Sequence, residues 1–146
     1  MKVERGFTLI ELIVTIAVAI ILTTVAVPGF QRMMAVSHVA SDYNEVLSGI
    51  NYARSEAIKK RKNVTFTVSQ SKPWEYKVSD GGDIRIRTGR DERTWLTKDF
   101  SVTFGSLGKP TGSCSSGCTL TLSNAYSEVD DRTINISPMG RAGGGS

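Results

Sequence analysis

The sequence has few of the side chains that metal sites and redox centres need. Its 146 residues include one histidine and two cysteines. The lone histidine, His38, is far in sequence from Cys114 and Cys118, so these residues do not supply the ligand set of a zinc site. The acidic residues are scattered among basic ones, and no phosphate-binding glycine loop follows a predicted strand. We therefore expect no catalytic residues, no metal and no cofactor, and a protein that is not an enzyme.

The two cysteines lie close together, in Cys114-Ser-Ser-Gly-Cys118. A disulfide that closes a short polar loop is typical of secreted and periplasmic domains. We favour this disulfide over redox or metal chemistry. Because so short a loop removes little chain entropy, we expect the bridge mainly to fix local geometry.

Cationic side chains are absent from the first apolar segment. Residues Phe7–Val27 are almost wholly apolar, and their number suits a helix that spans a bilayer. Lys2 and Arg5 precede the segment, which favours a cytoplasmic N-terminus and a chain that continues on the far side of the membrane. The segment ends in Ala26-Val-Pro-Gly-Phe30 without a convincing signal-peptidase site, so we expect it to be retained.

One carboxylate lies inside this apolar segment. An acid in a membrane span costs on the order of 2.5–3.5 kcal/mol on insertion scales, so Glu11 needs a partner. Cleavage after Gly6 would create an α-amine on Phe7, four residues before Glu11. That amine is able to meet the carboxylate within one chain at helical i,i+4 spacing, or on a neighbouring chain. An ordinary anchor that tolerates one acid near its end is the alternative.

The residues Lys2-Val-Glu-Arg-Gly6 followed by Phe7-Thr-Leu-Ile-Glu11 resemble the prepilin signature of type IV pilins and of the pseudopilins of type II secretion. The resemblance implies cleavage between Gly6 and Phe7 and N-methylation of Phe7 by a prepilin peptidase. It also implies that Glu11 pairs with the terminal amine of an adjacent subunit during assembly. The expected partners are this peptidase, the inner membrane and other pilins or pseudopilins.

Beyond the apolar segment, the pattern predicts a second helical half. Pro28 lacks a backbone donor, so we expect a kink there. Apolar residues recur at three- and four-residue steps from Val36 to Ala57, and we end the helix in the basic cluster Lys59–Lys62. The polar face of this helix comprises Asp42, Glu45, Arg54, Glu56 and Lys59.

Seven short segments then alternate between apolar and polar residues, with turn residues between them. They are Val64–Val68, Trp74–Val78, Ile84–Arg87, Thr94–Thr97, Val102–Phe104, Thr119–Ser123 and Thr133–Ser137. Because no helical pattern separates them, we expect antiparallel pairing. The predicted fold class is α+β, with a long N-terminal α-helix, one half transmembrane and one half amphipathic, packed on an antiparallel β-sheet domain.

The predicted organisation has five parts. They are a prepilin leader peptide at 1–6, a transmembrane and assembly helix at 7–28, an amphipathic helix at 29–62, a periplasmic antiparallel β domain at 63–142, and a Gly-rich tail or linker at 143–146.

A second resemblance concerns the part of the chain after the membrane. The segments Leu47–Ile58, Asn63–Phe66 and Thr133–Arg141 resemble the minor pilin and pseudopilin group that contains FimT, FimU and GspH. This resemblance implies a minor type IV pilin that helps to initiate and cap pilus assembly. It would lie in the bacterial inner membrane as a single-pass protein with a periplasmic C-terminal domain, and in the pilus or pseudopilus after assembly. A GspH-like minor pseudopilin of type II secretion is the closest alternative.

Arginines on one predicted strand raise the question of DNA. Arg85 and Arg87 alternate with Ile84 and Ile86, so both arginines should project from one face of the sheet, where they would form a positive patch for phosphates. We favour a different interpretation, in which they occupy the solvent-facing side of a half-buried strand.

The C-terminal motif bears on the same question. DNA-binding FimT proteins are associated with Gly-Arg-x-Arg, whereas this chain has Gly140-Arg141-Ala-Gly143 and lacks the second arginine. The departure favours an assembly subunit over a FimT-like DNA receptor for natural transformation. Arg85, Arg87 and Arg141 are the candidate contacts if DNA is a partner.

Overall fold

The computed structural model describes residues 7–90, 92–127 and 129–144. The chain divides into two compact units, Met1–Ala35 and Val36–Ser146. Helix α1, Leu9–Lys60, contributes residues to both units and continues through Pro28. The predicted leader at 1–6 lies outside the described residues.

The first unit consists, as far as it is described, of the N-terminal part of α1. This helix is long and apolar enough to cross a membrane, by its length and composition. Its threonine hydroxyls donate to carbonyls of the same helix: Thr15 to Leu12 at 2.8 Å and Thr24 to Ile21 at 2.7 Å. Because these polar groups are satisfied locally, they are compatible with an apolar environment.

The second unit contains two antiparallel sheets. The strands are β1 Val64–Gln70, β2 Glu75–Ser79, β3 Asp83–Thr88, β4 Thr94–Leu96, β5 Ser101–Phe104, β6 Pro110–Thr111, β7 Cys118–Asn124, β8 Arg132–Ile136 and β9 Ala142–Gly144. One sheet has the order β3-β2-β1-β5-β6, and the other has the order β4-β7-β8-β9. This arrangement confirms the α+β fold. Strands β6 and β9 were not predicted, and β9 continues the sheet into the predicted tail as far as Gly144.

The core of this unit lies between α1 and the two sheets. Val46, Ile50 and Ala53 of the helix are fully buried against strand residues that include Phe66 and Tyr76. The predicted apolar stripe began one step too early, because Val36 is 41% exposed and the packed core of this unit begins at Val39.

The predicted polar face of the helix is not wholly exposed, because two of its acids are engaged within this unit. Asp42 accepts hydrogen bonds from Trp74 Nε1 at 3.1 Å and from the Thr94 hydroxyl. Glu56 is only 8% exposed, and its carboxylate lies 3.2 Å from Lys60 Nζ. The sheets of this unit therefore contact a wider arc of α1 than the apolar stripe alone. Asp42 bonds across that contact, whereas Glu56 pairs with lysines of its own helix.

Two hairpin turns of the same geometry meet at one end of this unit. Gly105–Lys109 joins β5 to β6, and Ser137–Arg141 joins β8 to β9; we call them the paired turns. In each, the first residue's N–H donates to the fifth residue's carbonyl at 2.9 Å, and the fourth residue's N–H donates to the first residue's carbonyl at 2.8 Å. The fourth residue is a glycine at positive φ, +71° for Gly108 and +79° for Gly140. This is a three-residue hairpin loop that ends in a left-handed glycine.

Arg54 of α1 holds the paired turns together. Its Nε donates to the carbonyl of Gly108 at 3.1 Å, and its Nη2 donates to the carbonyl of Met139 at 3.4 Å. Gly140 packs so closely on Gly108 that a Cβ at Gly140 would lie 1.9 Å from the Gly108 carbonyl oxygen. Since one turn comes from each sheet, this contact joins the two sheets at their shared end.

Candidate functional site

The start of α1 is organised by Thr8. This residue precedes the first helical residue, and its hydroxyl accepts a hydrogen bond from the Glu11 N–H at 3.3 Å, which makes it the N-cap. Glu11 occupies the third helical position, so Thr8 and Glu11 have the spacing of a capping box. A carboxylate in the first turn is also favoured by the partial positive charge of the helix N-terminus. Gly6, on the other side of the predicted cleavage point, lies outside the described residues.

The surface around Glu11 is apolar and uncovered. Every residue from Phe7 to Met34 is exposed. The first side-chain cation after Glu11 in the sequence is Arg32, roughly 30 Å further along the helix. If the carboxylate is to be neutralised in an apolar environment, the cation must come from the chain end or from another molecule.

Arg85 and Arg87 share one face of the sheet, as the alternation predicts, but that face looks toward α1. Arg87 lies opposite Tyr76 and Arg85 lies opposite Val78 in the β2–β3 register, and both of these partners are fully buried. Directly opposed residues project from the same face. Arg85 Nη2 lies 2.9 Å from the Glu45 carboxylate and Arg87 Nε lies 3.5 Å from it. The interpretation of this face as solvent-facing was therefore wrong for Arg85, whereas the Arg87 side chain remains 56% exposed.

Glu45 is held in its charged form by this cluster. Burial acts to raise its pKa, but the hydrogen bonds from Tyr76 and Arg85 and the charges of Arg85 and Arg87 together outweigh burial, so the pKa of the carboxyl lies below its ordinary value. Burial and the hydrogen bond to Glu45 raise the pKa of Tyr76, which therefore remains a neutral donor. The Arg85 guanidinium also lies 5.2 Å from the centre of the Tyr52 ring. Arg85 is thus engaged within the fold, and Glu45 offsets part of the positive charge of the candidate phosphate-binding patch.

The third candidate for contact with DNA is in a different place. Arg141 ends the second of the paired turns, with its N–H donating to the Ser137 hydroxyl at 3.1 Å, and it is exposed. Its turn contacts Arg54, whereas Arg85 contacts Glu45, roughly 13 Å back along the helix. The structure does not gather the three arginines into one cluster.

The two cysteines are joined, as predicted. Cys114 and Cys118 form a disulfide with a Cα–Cα separation of 5.1 Å. Cys114 ends the short 3₁₀ helix Gly112–Cys114 that follows β6, and Cys118 begins β7. The bridge therefore lies where the chain passes from one sheet to the other. Within residues 7–90, 92–127 and 129–144, no group of three or more His, Cys, Asp or Glu side chains is placed to hold a metal ion.

One ion cluster was not anticipated from the sequence. Asp80, in the β2–β3 turn, lies 2.8 Å from Lys60 Nζ and 3.0 Å from Lys62 Nζ, both in the basic cluster at the end of α1. Hydrogen bonds from Lys60 and then Lys62 lower the pKa of Asp80 to about 2. A turn that begins with an acid, after a helix that ends in lysines, is the only signal the sequence offers, and it does not specify the pairing.

The model of the family described as type II transport protein GspH matches residues 42–140. The chain belongs to the GspH family. A model of the prokaryotic N-terminal methylation motif matches residues 1–27 of this GspH-family chain. These matches confirm the resemblance to type IV pilin-like minor pilins, a group of structural subunits.

Two relatives of this GspH-family protein, each named fimbrial protein and each from Pseudomonas aeruginosa, are 29% and 28% identical to it over 141 residues. The alignments cover 94% of this chain and 90% of each relative. Crystal structures of the Pseudomonas aeruginosa type IV minor pilin FimU in two space groups match with a TM-score of 0.60 at 20% and 18% identity. These two structural matches cover 73% and 80% of this chain and 92% of FimU. The GspH-family chain therefore has the same fold as FimU.

Proposed function

We propose that this chain is a minor type IV pilin, a structural subunit that helps to initiate and cap pilus assembly. One observation carries the proposal: an uncovered apolar helix presents a single acid in its first turn, directly after a predicted cleavage point. The fimbrial relatives, which align over 94% of the chain, support a pilus as the assembly that it serves.

The proposed mechanism begins in the inner membrane. The apolar half of α1 anchors the subunit there, and the sheet-bearing unit lies in the periplasm. Cleavage between Gly6 and Phe7 creates an N-terminal amine, which the peptidase methylates. Thr8 caps the new helix end, and Glu11 is held one turn away. Pairing of Glu11 with the amine of an adjacent subunit removes an uncompensated charge from an apolar environment, and this favours docking into a helical bundle.

Substitution of Glu11 tests this mechanism. We expect Glu11→Leu and Glu11→Gln to leave membrane insertion and leader cleavage intact and to abolish incorporation into pili, since both variants remove the charge that meets the amine. Incorporation is measured by immunoblotting sheared pili from a strain that lacks the wild-type copy. Thr24→Val is the matched control within the same helix, because the Thr24 hydroxyl donates to the Ile21 carbonyl of that helix. Normal piliation by Glu11→Leu would refute the mechanism.

A second candidate function is that of a GspH-like minor pseudopilin of type II secretion, and the description of the matching family favours it. The two functions are separated by complementation. Expression of this chain in a strain from which its own gene is deleted should restore pili if it is a pilin. Restoration of exoprotein secretion without pili would instead identify the pseudopilin.

A further inference from the structure

The paired turns present the same short pattern twice, side by side. Each has an exposed apolar residue, then the left-handed glycine, then a basic residue: Leu107-Gly-Lys109 in one turn and Met139-Gly-Arg141 in the other. Because the turns have the same hydrogen bonds, they present these side chains at equivalent points of two hairpins that touch.

The apolar members of this pattern are unusually accessible. Leu107 is 79% exposed and Met139 is 60% exposed. Ile58 of α1 is 47% exposed, and its side chain lies against Gly108. Single exposed apolar residues are ordinary, but adjoining ones on a fixed scaffold mark contact surfaces. We call Ile58, Leu107, Met139, Lys109 and Arg141 the turn surface.

The charge of this region is uncompensated. Within the described part of the chain, Lys109, Arg141 and the underlying Arg54 have no ion-pair partner. The same is true of Arg61 and Lys98, but these lie outside the paired turns. Arg54 donates hydrogen bonds to two backbone carbonyls, and these neutral acceptors do not compensate its positive charge. A ligand of this surface must therefore combine apolar contact with negative charge.

We propose that the turn surface docks the globular domain of a neighbouring pilin subunit that presents a carboxylate beside an apolar side chain. This inference rests on the proposed function, which makes other pilins the available neighbours. A protein partner fits better than nucleic acid or anionic lipid, because phosphates would engage the two cations and leave the apolar tips in water. The turns are held by their glycines, by their mutual contact and by Arg54, so docking requires little ordering of the surface.

Photo-crosslinking in assembled pili tests which molecule covers the surface. A benzophenone amino acid is placed at Leu107 of the full chain, and crosslinked peptides are identified by mass spectrometry. Ile86, an exposed apolar residue of β3, is the matched control position. We expect Leu107 to yield a pilin peptide that contains Asp or Glu, and Ile86 not to yield that peptide. Crosslinks from Leu107 only to lipid or DNA, or no crosslink in assembled pili, would overturn the proposal.

Charge reversal tests the chemistry of the contact. We expect the double variant Lys109→Glu, Arg141→Glu to reduce incorporation into pili by about tenfold or more. Lys98→Glu, at another exposed lysine, should leave it unchanged. The double variant should unfold at the same urea concentration as the wild type, because neither side chain has a hydrogen bond or ion pair with the residues that the structure describes. Reversal of the partner's crosslinked acid to lysine should restore incorporation.

The two proposals fail in distinguishable ways. Normal incorporation of the double variant, together with loss of incorporation in Glu11→Leu, would overturn the turn surface and leave the proposed function standing. Normal incorporation of both variants would overturn both.

Discussion

Substitution of Gly140 by alanine is the most sensitive test of the contact between the paired turns. The new Cβ would lie 1.9 Å from the Gly108 carbonyl oxygen, which is 1.1 Å short of the 3.0 Å below which real Cβ atoms are essentially never found. The residue would also have to keep a φ of +79°, which L side chains rarely adopt.

The expected magnitude follows from two penalties. A left-handed conformation costs a non-glycine residue roughly 1–2 kcal/mol. The turn must then either stay and accept an overpacked contact, at about 1–3 kcal/mol, or move and weaken the bonds from Arg54 to two carbonyls, each worth about 1.5–3 kcal/mol. Taking the smaller of these alternatives, we expect Gly140→Ala to lower the free energy of unfolding by about 2–5 kcal/mol, a large part of an ordinary domain's stability.

Urea titration of the membrane-extracted full chain in mild detergent measures this change. Both tryptophans, Trp74 and Trp95, lie in the unit that unfolds, so fluorescence reports it. Two glycines provide matched controls. Gly112 has a φ of +68° but open space around it, so Gly112→Ala should show the conformational penalty alone. Gly143 has open space around it and a φ outside the left-handed region, so Gly143→Ala should leave the free energy of unfolding nearly unchanged. Equal unfolding midpoints for Gly140→Ala and Gly112→Ala would refute the contact.

Two further predictions concern the stability of the second unit. Because Lys60 and Lys62 lower the pKa of Asp80 to about 2, its ion cluster should stabilise the fold fully above pH ~4 and lose that contribution as the pH falls toward 2. Asp80→Asn should flatten this part of the stability–pH profile, and an unaltered slope would contradict the cluster. Replacement of Cys114 and Cys118 together by serine should lower the free energy of unfolding by about 2 kcal/mol, as should reduction of the wild type. Unchanged midpoints in both experiments would show that the bridge contributes nothing.

The long strands were predictable because each carries its own periodic signal. In β1 and β2 the buried residues alternate with partly exposed ones, as the sequence alternation requires. Strands β6 and β9 carry no such signal: β6 has two residues, beginning with Pro110, and β9 is Ala142-Gly-Gly144. They form because each hairpin turn brings the chain back beside a strand of the sheet, β5 for β6 and β8 for β9. This pairing is not encoded in the local sequence of β6 or β9.

The position of the β3 arginines illustrates a second limit. Alternation establishes that Arg85 and Arg87 share a face, but not which face is turned toward the helix. In the structure, Glu45 compensates their charge on the helix side and Ile86 is left 43% exposed on the other. The deciding carboxylate is 40 residues away in sequence from Arg85, on the predicted polar face of the helix.

Arg54 shows the same limit over a longer distance. Its two acceptors are 54 and 85 residues along the chain, so its role depends on where two separate hairpins end. The sequence does contain a trace of the arrangement, since Gly105-Ser-Leu-Gly-Lys109 and Ser137-Pro-Met-Gly-Arg141 share the order apolar, glycine, basic. Recognition of the two as equivalent turns required their hydrogen bonds.

The beginning of the chain was the easiest part to interpret, because a lone acid in an apolar segment has few physical explanations. The central claim is that cleavage between Gly6 and Phe7 supplies the amine that Glu11 requires. N-terminal peptide mass spectrometry of this protein, purified from assembled pili, tests that claim most directly. We predict a first residue of N-methylated Phe7. A chain that still begins at Met1 within the assembled pilus would contradict the account.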